Sequence, residues 1–285
     1  MAASDIEKLQ EHLMILLEEV DRICQKHQLS YMLFAGTLLG AVRHKDFIPW
    51  DDDIDVLMPR EDYQRFLDIA QRECDKNVFF VQREFSHHWP MHFSKLRLQN
   101  TAYIEKYHPK DPLQHQGIYI DIFPYDDGWK SRLGRKIQFL LSKAVIADAL
   151  RKRGYDTDSK WKKLAMAISK VLPERTFHKM ITRPGAGSRY VHTFFGAGKK
   201  FRSNVFPRQW LQQTEQREFN GKKFPIPTNY NEILTQLYGE YRELPSEKER
   251  ECKIHAVVVD FEKSYEYYQH WRDGMKFSVH TRSIR

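Results

Sequence analysis

Four carboxylates fall within five residues at Asp51-Asp52-Asp53-Ile54-Asp55, and core-like segments bracket them. Phe47-Ile48-Pro49-Trp50 leads in and Val56-Leu57-Met58 leads out. Like charges held between two buried segments repel one another and need a cation to offset them, so this stretch constrains the fold more than any other. Side chains alternate along a strand, which predicts Asp53 and Asp55 on one face, with Ile54 and Val56 turned to a core. Carboxylates one strand repeat apart lie about 6–7 Å from each other, a span a divalent metal bridges. A solvated charge run is the bland alternative, and the apolar brackets weigh against it. An EF-hand loop beginning at Asp51 fails, because it requires Gly and Glu where Val56 and Asp62 stand. An Asp-x-Asp pair also suits a glycosyltransferase holding a nucleotide sugar through a metal, and that rival stays open.

Upstream context separates the two. Gly36-Thr37-Leu38-Leu39-Gly40 begins 17 residues before Asp53, at the end of an expected strand over 31–35. Glycines let a backbone approach a phosphate closely, and the amides of a helix start donate to it. A Gly-Thr turn opening a helix, followed by Asp-x-Asp on the next strand, is the arrangement of the nucleotidyltransferase superfamily. Such sites use a third carboxylate. Asp121, with Ile120 and Ile122 on the opposite face, is the candidate, the alternative being a partly exposed edge residue. Lys95 and Arg97 share a strand face by period two; they either neutralise a diphosphate or are ordinary solvated cations.

The first 125 or so residues alternate strands and helices, which predicts an α+β catalytic core over 1–127. Ser4-x-x-Glu7 reads as a capping box, and Ile6, Leu9, Leu13, Leu16, Leu17, Val20 and Ile23 follow at helical spacing to about His27. Strands are expected over 54–58, 78–82, 92–98 and 117–123, the last closed by Pro124, and helices over 38–43 and 60–73. A basic, mainly helical insertion follows over 128–217, with a loop over 183–198. A C-terminal part over 218–285, with a loop over 224–229 and a helix over 230–238, packs back on the core.

Charge is uneven. The chain is +8 overall, yet residues 128–183 hold 15 Lys and Arg against 4 Asp and Glu. That segment favours phosphate-bearing partners, but no nucleic-acid motif accompanies it, so no nucleic acid is expected. Ile137, Leu140, Leu141, Ala144 and Val145, then Trp161, Leu164, Ala165, Ile168 and Leu172, allow apolar stripes beside lysines. They fit either an anionic membrane surface or helices packed on the core with solvated charges. Cys24, Cys74 and Cys252 are odd in number and far apart, which argues against a disulfide framework and suits a reducing cytoplasm. With no signal peptide and no apolar run of 18 residues, a cytoplasmic protein is expected, peripheral at most.

Three blocks, FAGTLLGAVRHKDFIPWDDDIDVLMPREDYQRF, KLRLQNTAYIEK and GIYIDIFPYDD, with a later FNGKKFPIPTNYNEILTQLYGEYRELP, closely resemble the LicD family of phosphocholine transferases. The likeness covers 31–127 and 218–255; fukutin-related proteins, which transfer ribitol phosphate, share its core. Asp46 stands where the family often has Gly. The resemblance implies a nucleotidyltransferase-like fold. It also implies metal-dependent transfer of phosphocholine from CDP-choline to a hydroxyl of a cell-surface glycan precursor of teichoic acid or lipopolysaccharide type, releasing CMP. A lipid-linked glycan is one form of that acceptor. Asp53 and Asp55 match the family's paired ligands for Mg²⁺ or Mn²⁺, Asp51 a further acid, and Asp121 the third position. In such an in-line transfer Asp121 is a candidate base or only a ligand. Gly36, Thr37 and Gly40 would shape the phosphate turn, and Arg43, Lys95 and Arg97 would carry charge to the diphosphate. A choline group needs aromatic faces; Trp50, Trp89, Tyr119 and Tyr125 are near in sequence, with ordinary packing as the alternative. Other rivals are transfer of another CDP-activated phospho-alditol such as ribitol phosphate, and a nucleotidyltransferase proper that releases pyrophosphate.

Overall fold

The computed structural model describes residues 3–105, 111, 113–155, 157–183, 185, 187–195, 200–246 and 256–271. Its architecture is α+β, with a mixed sheet at the centre. Helix α1 (Ala3–His27) buries Leu9, Leu13, Leu16, Leu17, Val20 and Ile23, the stripe its spacing predicts. Each is worth about 1.5–3 kcal/mol of burial. The stripe lies against α3 (Arg60–Glu73) and the sheet, and Glu73 fastens the end of α1 through Lys26 (2.8 Å) and His27 (2.9 Å). The helix already includes Ser4, whose side chain lies outside the described residues, as does Cys252; Cys24 and Cys74 are buried free thiols.

The sheet runs β1 (Met32–Leu33), β2 (Asp55–Pro59), β6 (Tyr119–Asp127), β4 (Ser94–Leu98), β3 (Phe79–Gln82) in spatial order. β2 and β6 are parallel, and the other neighbours along this order are antiparallel. Along β1 and β6 two expectations change. The strand over 31–35 shrinks to two residues, because Ala35 already starts α2 (Ala35–Arg43). Pro124 does not close β6. The Asp121 amide donates to the Ile54 carbonyl on the β2 side, so Pro124, three residues on, turns its nitrogen toward β4. That ladder has run out at Ser94↔Ile122, and the missing N–H costs no bond.

β7 (Tyr190–His192), inside the expected loop over 183–198, pairs with the end of β6, and β8 (Val205–Pro207) pairs with β7. Between β6 and β7 lie α4 (Arg132–Arg153), α5 (Lys160–Ser169) and α6 (Glu174–Thr182). Ser131 caps α4 by accepting from the Gly134 amide (2.9 Å), and Gly154 ends it in the left-handed region at φ 84°. A second core of Val145, Ile181, Phe194 and Phe195 holds this region together, separate from the main core. The expected loop over 224–229 is instead largely strand. β9 (Thr214–Phe219) and β10 (Lys222–Pro227) form a hairpin around Asn220 (φ 49°) and Gly221 (φ 73°), the pair that a two-residue primed turn demands. With α7 (Tyr230–Tyr238) it contributes Phe219, Phe224, Ile226, Ile233 and Leu234 to the main core. β5 (Ala102–Glu105) pairs with β11 (Ala256–Asp260) beside the sheet.

Candidate active site

Strand register lines up the chemistry. Asp55 on β2 is level with Asp121 on β6, and Asp121 is level with Lys95 on β4. Residues level in adjacent strands share a face, so these three form one row across the sheet. Ile120 and Ile122 point the other way into the core, as their alternation predicts. Lys95 is buried rather than solvated, with its ammonium 2.8 Å from Asp121 Oδ1, 3.8 Å from Glu105 and 3.1 Å above the Tyr119 ring centre. Burial lowers its pKa to about 8 against the pull of Asp121 and Glu105. Asp121 is itself raised, chiefly by burial, with Lys95 opposing.

Arg97 does not reach toward that row. It is buried, donating to Gln82 Oε1 and the Gly117 carbonyl, both at 2.7 Å, and lying over Tyr119. Period two placed it on the right face, but its guanidinium braces the sheet instead of facing a diphosphate. Arg43 ties α2 to the C-terminal part through the Tyr241 carbonyl at 2.8 Å.

Asp51, Asp52 and Asp53 bring one oxygen each within 4.8 Å of one another, just ahead of β2. Asp53 precedes the strand, so alternation does not set its direction; the local chain path does. Gly36 is packed against Asp51, whose Oδ2 would lie 2.8 Å from any Cβ added there. Gly40 likewise stands against the Asp46 carbonyl, 2.6 Å from a would-be Cβ. Both glycines therefore admit parts of this chain; Gly36 and Thr37 stand in the first turn of α2, where a helix opening was expected, and Gly40 lies in its middle. The Thr37 hydroxyl accepts from the Asp55 amide at 2.8 Å, and the Phe34 amide donates to the Asp55 carbonyl at 3.0 Å, fixing the head of α2 to the start of β2. Ala35, at φ 47°, takes the backbone strain of this junction. The Asp55 carboxyl is pushed well up, first by burial and then by Asp53, Asp121 and Asp51, with Lys95 opposing.

Three residues escaped the sequence reading. The Tyr103 hydroxyl donates to Asp52 Oδ2 at 2.5 Å. Glu105 accepts from the Tyr119 hydroxyl at 2.9 Å and pairs with Arg153 of α4, so it links the insertion to Lys95. Their period-two spacing against buried Ala102 and Ile104 was the available signal. Tyr238 of α7 is 46% exposed, while its hydroxyl pKa is raised, first by desolvation and then by Asp55, Asp51 and Asp53. It also lines a cavity of about 920 Å³ with Phe34, Phe123, Trp210, Glu232 and Arg202. Two of the aromatic candidates have faces already taken. Trp89 lies under Lys95, Arg97 and Arg153, and Tyr119 lies under Lys95 and Arg97. Tyr125 lines a different cavity, beside Tyr31 and Leu211, while Trp50 is half-buried next to His44.

The donor set fits a hard divalent cation. Clustered carboxylate oxygens select Mg²⁺ or Mn²⁺ over softer metals, and the mutual repulsion acting on Asp55 is what such an ion relieves. A helix start anchored to an aspartate strand, with a third carboxylate level on the parallel neighbour, defines a nucleotidyltransferase-like domain. The LicD/FKTN/FKRP nucleotidyltransferase-domain model matches residues 28–190, more than half of the chain, and the chain belongs to that family of group-transfer enzymes. It is 29% identical over 244 residues to the lipopolysaccharide cholinephosphotransferase LicD of Haemophilus influenzae, covering 82% of this chain and 90% of that one. It is also 28% identical over 133 residues to the uncharacterized protein RP689 of Rickettsia prowazekii, covering 34% of this chain and 50% of that one.

Proposed function

We propose that this protein transfers phosphocholine from CDP-choline to a hydroxyl of a cell-surface glycan, of the lipopolysaccharide or teichoic acid type, and releases CMP. The observation that carries the reading is the group of Asp51, Asp52 and Asp53 just ahead of the Asp55–Asp121 row, beside an aromatic-lined cavity whose wall includes Phe34, the residue bonded to the Asp55 carbonyl. The likeness to the Haemophilus influenzae enzyme supports the choice of head group.

Asp51, Asp53, Asp55 and Asp121 would hold Mg²⁺ or Mn²⁺, which supplies charge neutralisation for the diphosphate and the departing CMP. Asp121 is the one carboxylate with a buried ammonium at 2.8 Å. That ammonium holds the carboxylate in place, as a ligand and as a candidate acceptor for the proton of the attacking hydroxyl. Phe34, Phe123, Trp210 and Tyr238 present aromatic surface to the cavity, and Glu232 supplies a negative charge, the chemistry that recognises a quaternary ammonium. Arg202 and Lys200, on the same cavity, offer positive charge to a phosphate.

Melting with CDP-choline tests this. CDP-choline should raise the melting temperature more with Mg²⁺ than in EDTA, because donor and ion complete one another's coordination. Equal stabilisation in both would contradict a cation-held diphosphate.

A further inference from the structure

Among the described residues, α5 is the helix the rest of the protein uses least. Only Ser169 of its ten residues is buried, and none of them joins a core cluster. Yet it is not polar. Trp161, Leu164 and Ile168, with Val171 in the turn that follows, repeat at helical spacing and stand open; Trp161 is 81% exposed and Val171 84%. An apolar row this continuous is costly to leave in water. Lys160, Lys163 and Lys170 run along one side of it and are exposed. On α4, Leu133, Ile137 and Leu140 form a second open row beside exposed Lys136. The stripe expected on α4 thus divides, with Val145 going to the second core and the earlier turns to the surface.

Two of the described acids of this region are taken up away from the α5 face. Asp148 is buried and paired with Arg151 and Lys152, and Glu174 is half-buried against Lys152. Asp158 is exposed, and Asp156 lies outside the described residues.

We infer that the open face of α5, together with the exposed row of α4, docks on an anionic lipid bilayer. Charge complementarity selects this occupant. Protein interfaces are depleted in lysine, whereas an interfacial helix gains from it, because the long stems lie along the apolar boundary while the ammonium groups meet lipid phosphates. Tryptophan at the rim suits the head-group layer. No described helix is long and apolar enough to cross a membrane, so the association is lateral and reversible.

Sedimentation of the full chain with vesicles tests the inference without any need for transfer activity. Vesicles containing about 30% phosphatidylglycerol in phosphatidylethanolamine should pellet the protein at low salt, and about 0.5 M salt should weaken this. A triple variant, Lys160→Gln with Lys163→Gln and Lys170→Gln, should partition roughly a hundredfold less. Trp161→Ser with Ile168→Ser should also lose binding while melting like the parent protein. The inference is overturned if the parent protein stays in the supernatant at low salt. It is equally overturned if both variants bind as well as the parent, or if the face instead supports a concentration-dependent dimer that Trp161→Ser abolishes.

Discussion

Helices α2 and α5 are nearly equal in length, nine and ten residues, and opposite in how they are held. α2 buries Thr37, Leu38, Leu39, Gly40 and Ala41, and its glycines are pressed against Asp51 and the Asp46 backbone. α5 leans on α4 but buries only one serine, and most of its side chains meet water. The contrast extends to the regions they belong to. The sheet concentrates negative charge where desolvation makes it expensive, and fixes each carboxylate by register or by backbone contact. The insertion concentrates positive charge at its surface and leaves apolar side chains uncovered. One region packs its charges inside the protein, and the other presents its charges and apolar side chains at the surface.

The largest effect should come from removing a charge from the sheet. Asp53→Asn or Asp55→Asn should cut phosphocholine transfer by about 10³-fold or more, since these carboxylates are assigned to the ion that stabilises the leaving group. In EDTA both variants should melt at or above the parent temperature, because repulsion is relieved. Turnover near the parent value at saturating Mg²⁺ would break the argument.

Next, Lys95→Met leaves Asp121 and Glu105 with a lost partner inside the protein. Such one-sided breaking of a buried pair costs about 3–5 kcal/mol, readable by urea denaturation. A loss below about 1 kcal/mol would mean that the row is solvated after all.

Acid should weaken the second core more than β2 and β6, although buried His115 beside β3, lowered to about 3, adds a loss on the sheet side as well. Burial lowers His92 to about 3 and His192 to about 4, both next to the second core. Their folded values lie below the unfolded value of about 6.5, so the unfolded chain takes up protons that the native state refuses, and stability falls as pH drops from about 6.5 toward 4. Asp55 and Asp121 are raised instead, so in metal-free protein their contribution grows as pH falls. Hydrogen exchange at pH 7 and pH 5 should show amides of α4, α6 and β7 losing protection while β2 and β6 keep theirs. Uniform loss across both regions would remove the distinction.

The smallest effect belongs to α5. Trp161→Ser should change stability by no more than about 0.5 kcal/mol, despite removing the largest side chain type. A larger loss in thermal melts would show that the face is covered within the protein.

How much of this could be read beforehand follows from range. The α1 stripe, the outward aspartate of β6 and the basic helices over 128–183 are set by local periodicity, and they stand where the sequence puts them. The glycines, Arg97 and the hairpin were misjudged for different reasons. Gly36 and Gly40 answer to Asp51 and the Asp46 backbone, which lie beyond the helix that holds the glycines and which no helical or strand periodicity announces. Arg97 was given its correct face, but whether that face is wet depends on what covers it. The Asn220-Gly221 turn is legible in the sequence, but Pro225 and Pro227 point to a loop after it; a two-stranded ribbon tolerates both. Tyr238 came from a helix nearly 200 residues beyond Gly36, beyond the reach of spacing arguments.

The most direct test offers the protein CDP-choline, CDP-ribitol and CTP in parallel, each with Mg²⁺ and with EDTA, in the presence of a glycan acceptor. CMP should appear from CDP-choline with Mg²⁺ and fall to background in EDTA and in Asp53→Asn, with no pyrophosphate from CTP. Pyrophosphate release from CTP, CMP from CDP-ribitol alone, or CMP release that ignores EDTA would contradict a cation-dependent phosphocholine transfer at this carboxylate cluster.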